Sequence, residues 1–432
     1  MGEDMQNNEQ KKYEFIKEKR KELPVNKKKM AMQTCYVAVL ALLFGVVASF
    51  VIAFLQPKIE QMLYPEEEEY VTIPTDEVTE TEFVTDTQVL ETTETEKEEN
   101  PIDMMLWQPT IEDYQALQNQ LYAIGREANR FVVTVTGVQN DTDWFNNPYE
   151  NRDEASGIII ANSSHELLIL TEKKVISGAQ EIYVTFSDNT TVRASMKQYD
   201  GNTGIAILSV TLSDLSQDTL NAITIAKLGN SFSVPQGTLA IAVGSPMGMN
   251  FSILTGNVTS TTNSISTIDA NYKIFTTDIV ASHSGSGALL NVRGEVIGIM
   301  MQDYSRQSDA NILTAVAISD LKSLIEKLSN GNEVAYLGLG ISTVTTEIEN
   351  LYDIPKGVYI KEVKMDSPAM NAGLQSGDVI TELNGVSISD ESSYERQLLQ
   401  VKPGDKVRII IKRQSTEGYV SIRCDVEASR LQ

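Results

Sequence analysis

Cysteine and histidine each occur only twice in these 432 residues, as Cys35 and Cys424 and as His165 and His283. Two cysteines cannot build a disulfide framework, and Cys35 sits in an apolar segment where a bridge to Cys424 is not expected. With no Cys/His cluster a structural zinc site has no ligands, and no metal or cofactor is expected. Imidazole chemistry is confined to two positions. Basic residues are also in deficit: 35 Lys and Arg stand against 59 Asp and Glu, for a net charge of −24. Such a chain has no broad face to neutralise phosphates, which argues against nucleic acid as a partner. What is present is a hydrophobic fraction of 41%, usual for globular proteins, and a length sufficient for two or three domains.

Residues 1–29 form a polar tail ending in Lys27-Lys28-Lys29, and no charged residue occurs from Met30 to Pro57. The nearly unbroken apolar run Cys35–Leu55 matches the ~20 residues that cross a bilayer. It is longer than the apolar core of a cleaved secretory signal. Residues 30–57 are therefore expected to be one uncleaved transmembrane helix in the cell membrane. The lysines place the tail in the cytoplasm and the bulk of the chain outside it. Residues 58–105 hold Glu66-Glu-Glu-Glu69 and repeated Thr-Glu pairs. Low hydrophobicity and like-charge repulsion mark this acidic tract as a disordered linker, and it carries much of the net charge.

Two modules follow. In 106–332, Thr110 and Asp113 form a helix-capping pair ahead of an apolar stripe, Ile111, Tyr114, Leu117, Leu121 and Ile124. The stripe is expected to pack on the next domain or on a sister subunit. From Phe131 the period shortens to that of strands. Two batches of short strands with Gly and Asn turns predict a mainly β barrel or sandwich, closed by a helix from Ser319 that stops near Gly331. Residues 333–432 read as a small α/β domain with one amphipathic helix, Glu391–Gln400, presenting Tyr394 and Leu398 on one face.

The chemistry-bearing stretch is Thr277-Asp278-Ile-Val-Ala-Ser-His283-Ser284-Gly285-Ser286-Gly287-Ala288-Leu289. A serine between glycines on a tight turn can expose a hydroxyl beside free N–H groups, although Ser/Gly turns are common between strands. The order and spacing of Ala155-Ser-Gly, Leu170-Thr-Glu-Lys-Lys174-Val-Ile, Gly204-Ile-Ala-Ile-Leu, Ala242-Val-Gly-Ser-Pro-Met-Gly248, Thr277-Asp278 and Gly294-Glu-Val-Ile-Gly resemble HtrA/DegP-type trypsin-like serine proteases. The resemblance covers roughly 130–330 and continues into a PDZ domain at 334–428. It implies a chymotrypsin-like double β-barrel, a serine endopeptidase ancestry and a trimeric assembly.

Carried over position by position, the family's general-base histidine falls on Lys174 and its aspartate on Gly204. The nucleophile falls on Ser286, eight residues after Asp278. The glycine that supplies an oxyanion N–H is Ser284. One glycine of the family's Ser-Gly-Gly is missing, and placing that deletion upstream makes Ser284-Gly285 the candidate pair instead. A serine needs a base of near-neutral pKa, and neither histidine is well placed: His165 sits on an exposed turn and His283 shares the serine's own loop. A Ser286-Lys174 dyad would require a buried, neutral lysine, whereas Glu172-Lys173-Lys174 reads as a solvated turn.

In the PDZ region, Tyr336-Leu337-Gly338-Leu339 resembles the loop that points successive N–H groups at a peptide C-terminus. Tyr394 and Leu398 would line the pocket for its last side chain or serve only as core. The sequence thus describes a membrane-anchored homologue of a protease with a degenerate triad. It is expected to bind unfolded polypeptides or protein C-termini in envelope quality control, with an active endopeptidase and a PDZ-led scaffold as the alternatives.

Overall fold

The computed structural model describes residues 28, 30–32, 35–46, 49, 70–76, 109–142, 148–305 and 311–431. The N-terminal unit, up to Glu68, is represented chiefly by a helical run at 35–46. Among the described residues no helix is long and apolar enough to cross a membrane. The expected span 30–57 lies partly outside them, as do nearly all of the tail and most of the acidic tract.

From Glu69 onward the chain forms one compact unit. Its first barrel comprises β1 (Val132–Thr142), β2 (Pro148–Asn162), β3 (Glu166–Glu172), β4 (Glu181–Thr185), β5 (Thr191–Tyr199) and β6 (Ile205–Thr211). They close in the order β1-β2-β3-β6-β5-β4. The second comprises β7 (Leu239–Ser245), β8 (Ser252–Ser266), β9 (Asn271–Val280), β10 (Ser286–Leu290), β11 (Val296–Met301) and β12 (Ile312–Ala317), closed in the order β10-β11-β12-β9-β8-β7. The double barrel that the resemblance implies is present. Closure removes sheet edges, so strands such as β3 are buried on both faces and read as apolar runs rather than alternating ones. Ile159, Leu168 and Ile207 of the first barrel share one core with Ile241, Leu290 and Val296 of the second.

The helix Ile318–Ser329 lies against both barrels and buries Leu321, Leu324, Ile325 and Leu328. The helix Ile111–Ala128 carries the expected cap, with Thr110 and Asp113 each accepting from the other's backbone N–H. Its C-terminal half docks through Leu121 and Gly125, where a Cβ would come within 2.5 Å of Ile253. The other half of the stripe does not pack: Ile111, Tyr114 and Leu117 are exposed.

The small domain has the sheet order β14-β15-β16-β18-β19, from β14 (Leu339–Thr343), β15 (Val358–Val363), β16 (Val379–Leu383), β18 (Lys406–Ser415) and β19 (Gly418–Glu427). β17 (Val386–Ser387) pairs antiparallel with β16, and β13 (Ala335–Tyr336) pairs with β20 (Ser429–Arg430). The helix Glu391–Leu399 packs on this sheet through Tyr394 and Leu398.

One expectation needs correction. The acidic tract is not unstructured throughout, because residues 70–76 lie extended along the helix Ile318–Ser329. Asn330 accepts from Val71 N–H and donates to Val71 O, both at 2.8 Å, and Glu326 accepts from Ile73 N–H at 2.7 Å. Ile73 is buried, and Asp76 meets the buried Lys322 ammonium at 2.8 Å and the Ser319 hydroxyl. Val71 and Ile73 interrupt the run of acidic residues, which is why this piece can dock. Removing one partner of a buried ion pair strands the other. Asp76→Ala should therefore destabilise the folded unit by about 3 kcal/mol in chemical denaturation, and adding Lys322→Met should restore most of the loss.

Candidate catalytic turn and carboxylate-binding loop

Ser286 is not at the top of a turn. It opens β10, opposite Ser245 of β7 and Met301 of β11, and is 1% exposed. Its Oγ accepts the Ser156 N–H of β2 at 2.9 Å, across the seam between the barrels. Ser156 Oγ then donates to Asn250 Oδ1 at 2.7 Å, and Asn250 Nδ2 donates to Thr134 of β1. The neighbouring Gly287 has φ +130°, and a Cβ there would lie 2.1 Å from Val243 O. Only glycine permits that approach of β10 to β7. The hydroxyl at the position that the resemblance gives to the nucleophile is thus a polar tie between barrels.

The turn itself spans residues 282–285. Ser282 N–H donates to Pro246 O at 2.8 Å and Gly285 N–H to Ser282 O at 2.9 Å, so those donors are committed within the protein. Ser284 is exposed, with its Oγ 3.3 Å from Ser282 Oγ. His165 and His283 are both exposed, and neither hydrogen-bonds to Ser284 or Ser286.

The structure does bring the other two carried-over positions side by side: Lys173 N–H donates to Gly204 O at 2.7 Å. What they present is an ion cluster. Lys174 Nζ lies 2.7 Å from Glu172 and 3.3 Å from Asp303. Burial disfavours the charged ammonium, but these two carboxylates outweigh it and hold the lysine pKa above its usual 10.5. A Lys-type base needs the opposite shift. Glu172 is pushed upward by burial, against the pull of Lys174, and its Oε1 has no partner. Gly204 offers no carboxylate. The nearby Asp200 turns back into its own loop, where Oδ2 accepts from Thr203 N–H at 2.8 Å and Thr203 Oγ1 at 2.7 Å.

The loop of the small domain is built for an anion. Gly338 has φ +93°, and a Cβ would meet the Ser367 side chain at 2.3 Å, so this backbone shape requires glycine. It aims the N–H groups of Leu337, Gly338 and Leu339 at one point. That point is filled by the carboxylate of Asp269, from the turn between β8 and β9. Leu337 and Gly338 donate to Oδ2 at 2.8 Å each, and Leu339 donates to Oδ1 at 3.0 Å. The Tyr394 hydroxyl donates to the same Oδ1 at 3.0 Å. Burial and the Asp269 charge drive the phenol pKa well above 10, which keeps the proton in place for that bond. Beside it, Glu395 accepts from Asn271 N–H at 2.8 Å, and burial raises its pKa to about 8.

Five of the six residues expected at a peptide site, Tyr336 to Leu339 and Tyr394, are gathered around Asp269, with Leu398 buried on the same helix. Asp269 itself was invisible in the sequence. Thr267-Ile268-Asp269-Ala270 reads as an ordinary hairpin turn, and its partners lie 68 to 70 residues away, with Tyr394 125 away.

Comparison with known proteins agrees with this architecture. Residues 155–299 match the trypsin-like peptidase domain family and residues 335–423 match the PDZ domain family. A probable periplasmic serine endoprotease, DegP-like, from Marinomonas sp. is 32% identical over 274 residues, covering 62% of this chain and 56% of the relative. Serine protease Do-like HtrA of Lactobacillus helveticus is 27% identical over 297 residues, covering 65% and 70%. The chain spans little more than half the length of the DegP-like relatives. Among solved structures, the HtrA-type protease AlgW with tripeptide superposes with a TM-score of 0.52 at 22% identity, over 72% of this chain and 98% of that one, a likeness of fold.

A nucleophilic serine can usually be replaced by alanine without cost to stability, whereas an acceptor for a buried N–H cannot. Ser286→Ala should lower unfolding free energy by about 1–3 kcal/mol, measured by urea denaturation, while Ser284→Ala should leave it within error.

Proposed function

We propose that this chain, an HtrA/DegP-type trypsin-like protein with a C-terminal PDZ domain, acts by binding polypeptide rather than by hydrolysing it. The observation that carries the reading is the buried Ser286 hydroxyl, which accepts the Ser156 N–H and, among the described residues, has no base beside it. Acyl transfer needs a base to take the serine proton and two free N–H groups opposite the developing oxyanion. Here the base position holds a lysine kept charged by Glu172 and Asp303, and the acid position is Gly204. Loss of a single triad member lowers rates by on the order of 10⁴ to 10⁶, and two are replaced.

The remaining parts suit a receptor. Three convergent N–H groups in the loop 337–339 are a site for a terminal carboxylate, and the adjacent strand β14 can pair with an extended peptide. Ligands of this class are protein C-termini and unfolded segments, and an envelope quality-control role follows from them. The uncharged run 30–57 would tether the protein to the cell membrane with its bulk outside the cytoplasm. The exposed Ile111, Tyr114 and Leu117 would serve subunit contact in a homotrimer.

The competing reading is an active endopeptidase. It draws on the names of the relatives and on Ser284, whose hydroxyl is exposed at the turn. Casein degradation by the purified full-length chain separates the two. The binding reading expects equal background rates for the wild type, Ser284→Ala and Ser286→Ala, and no labelling of either serine by a fluorophosphonate. A rate abolished by one substitution, with labelling at that serine, would establish a peptidase.

A further inference from the structure

We propose that Asp269 is a built-in occupant of the PDZ carboxylate loop, and that a peptide C-terminus must displace it in order to bind. The inference rests on the peptide-binding reading above and adds its regulation. Three independent features of the turn between β8 and β9 imitate a bound chain end.

The first is the carboxylate. It takes all three loop N–H groups, at 2.8, 2.8 and 3.0 Å, together with the Tyr394 hydroxyl. A terminal carboxylate has two oxygens to offer the same donors, so both cannot be bound at once.

The second is the backbone. Asp269 N–H donates to Leu339 O at 2.7 Å while Leu339 N–H returns to Asp269 Oδ1. Asn271 Nδ2 then reaches Ile341 O at 3.3 Å. β14 is the outer strand of its sheet, and these are bonds of the edge that an added strand would use. On the opposite wall, Asn271 N–H is held by Glu395 of the helix Glu391–Leu399. The turn therefore lies between strand and helix, where a peptide would be laid.

The third is conformational. Asp269 adopts φ +60°, a left-handed geometry that asparagine, aspartate and glycine enter most readily. A glycine would relieve that geometry but could not supply the carboxylate. The neighbouring Ile268 and Ala270 line a cavity together with Glu395 and Leu398, so the turn also stands at the helix wall where a terminal side chain would be received.

A receptor whose competent state is a minor fraction binds with an affinity reduced by that fraction. The closed site thus sets a threshold: strong or abundant C-termini open it, and incidental ones do not. Opening would also separate β14 from the barrel turn, which is the change a ligand would transmit to the double barrel.

The test uses full-length protein and a fluorescein-labelled decapeptide ending in three apolar residues, prepared with a free carboxylate and as the C-terminal amide. Asp269→Ala should bind the free acid at least about tenfold tighter than the wild type, with no comparable gain for the amide. Asp269→Asn, which keeps the size of the side chain but offers one accepting oxygen, should gain less. Circular dichroism melting identifies a variant that has not folded, and Asp269→Asn decides the matter if Asp269→Ala fails. Equal free-acid affinity in the wild type and both variants would overturn the occlusion while leaving peptide binding intact. Equal gains for acid and amide would also overturn it. Absence of binding to all three proteins would remove the carboxylate receptor itself, and the peptide-binding reading with it.

Discussion

A buried N–H group must find an acceptor, and in the small domain three consecutive ones must find theirs at a single point. Gly338 imposes that arrangement, since its φ of +93° turns the loop so that Leu337, Gly338 and Leu339 donate inward. An unfilled cluster of donors there would carry the desolvation cost of each group. The barrel turn removes that cost by supplying Asp269, and the same contact joins the two domains. The Tyr394 hydroxyl and the Leu339 N–H at the start of β14 both donate to this carboxylate.

The same constraint operates at the seam between the barrels. Ser156 N–H is buried between β2 and β10, and Ser286 Oγ supplies its acceptor. In a working hydrolase that oxygen would have to face a base and a substrate carbonyl. Here it faces the protein's own backbone, and under the proposed reading the base and acid positions hold Lys174, in an ion cluster, and Gly204. Two sites that could have served external ligands are thus satisfied internally. They differ in character: Ser286 is locked within a strand and a hydrogen-bond network, whereas Asp269 sits on a hairpin turn at a domain contact, where displacement requires no strand to break.

Much of the architecture was legible in the residues. Short apolar runs with Gly and Asn turns point to a barrel or sandwich, the family resemblance narrows this to the two barrels that are present, and Thr110 with Asp113 marks a helix start that the structure reproduces. The resemblance puts the family's base and acid positions on Lys174 and Gly204, and the residue before Lys174 donates its N–H to Gly204 O. The count from Thr277-Asp278 gave a position for Ser286 but not its environment, because a one-residue deletion moves a side chain between turn and strand. Asp269 could not be found at all. A hairpin aspartate looks the same whether it faces water or a loop 70 residues later, and only tertiary contact distinguishes them. Residues 70–76 were hidden for a similar reason: Val71 and Ile73 are two apolar residues in an acidic tract, and their value depends on the helix they meet.

Amide hydrogen exchange at Leu337, Gly338 and Leu339 in the ligand-free, full-length protein tests the central claim most directly. If the Asp269 carboxylate holds these groups, all three should exchange as slowly as Val344 and Ile360, whose N–H groups donate to Gly357 O and Asp378 O. Exchange as fast as that of Glu347, exposed in the first turn of a short helix, would show the loop open to solvent, and would contradict the account.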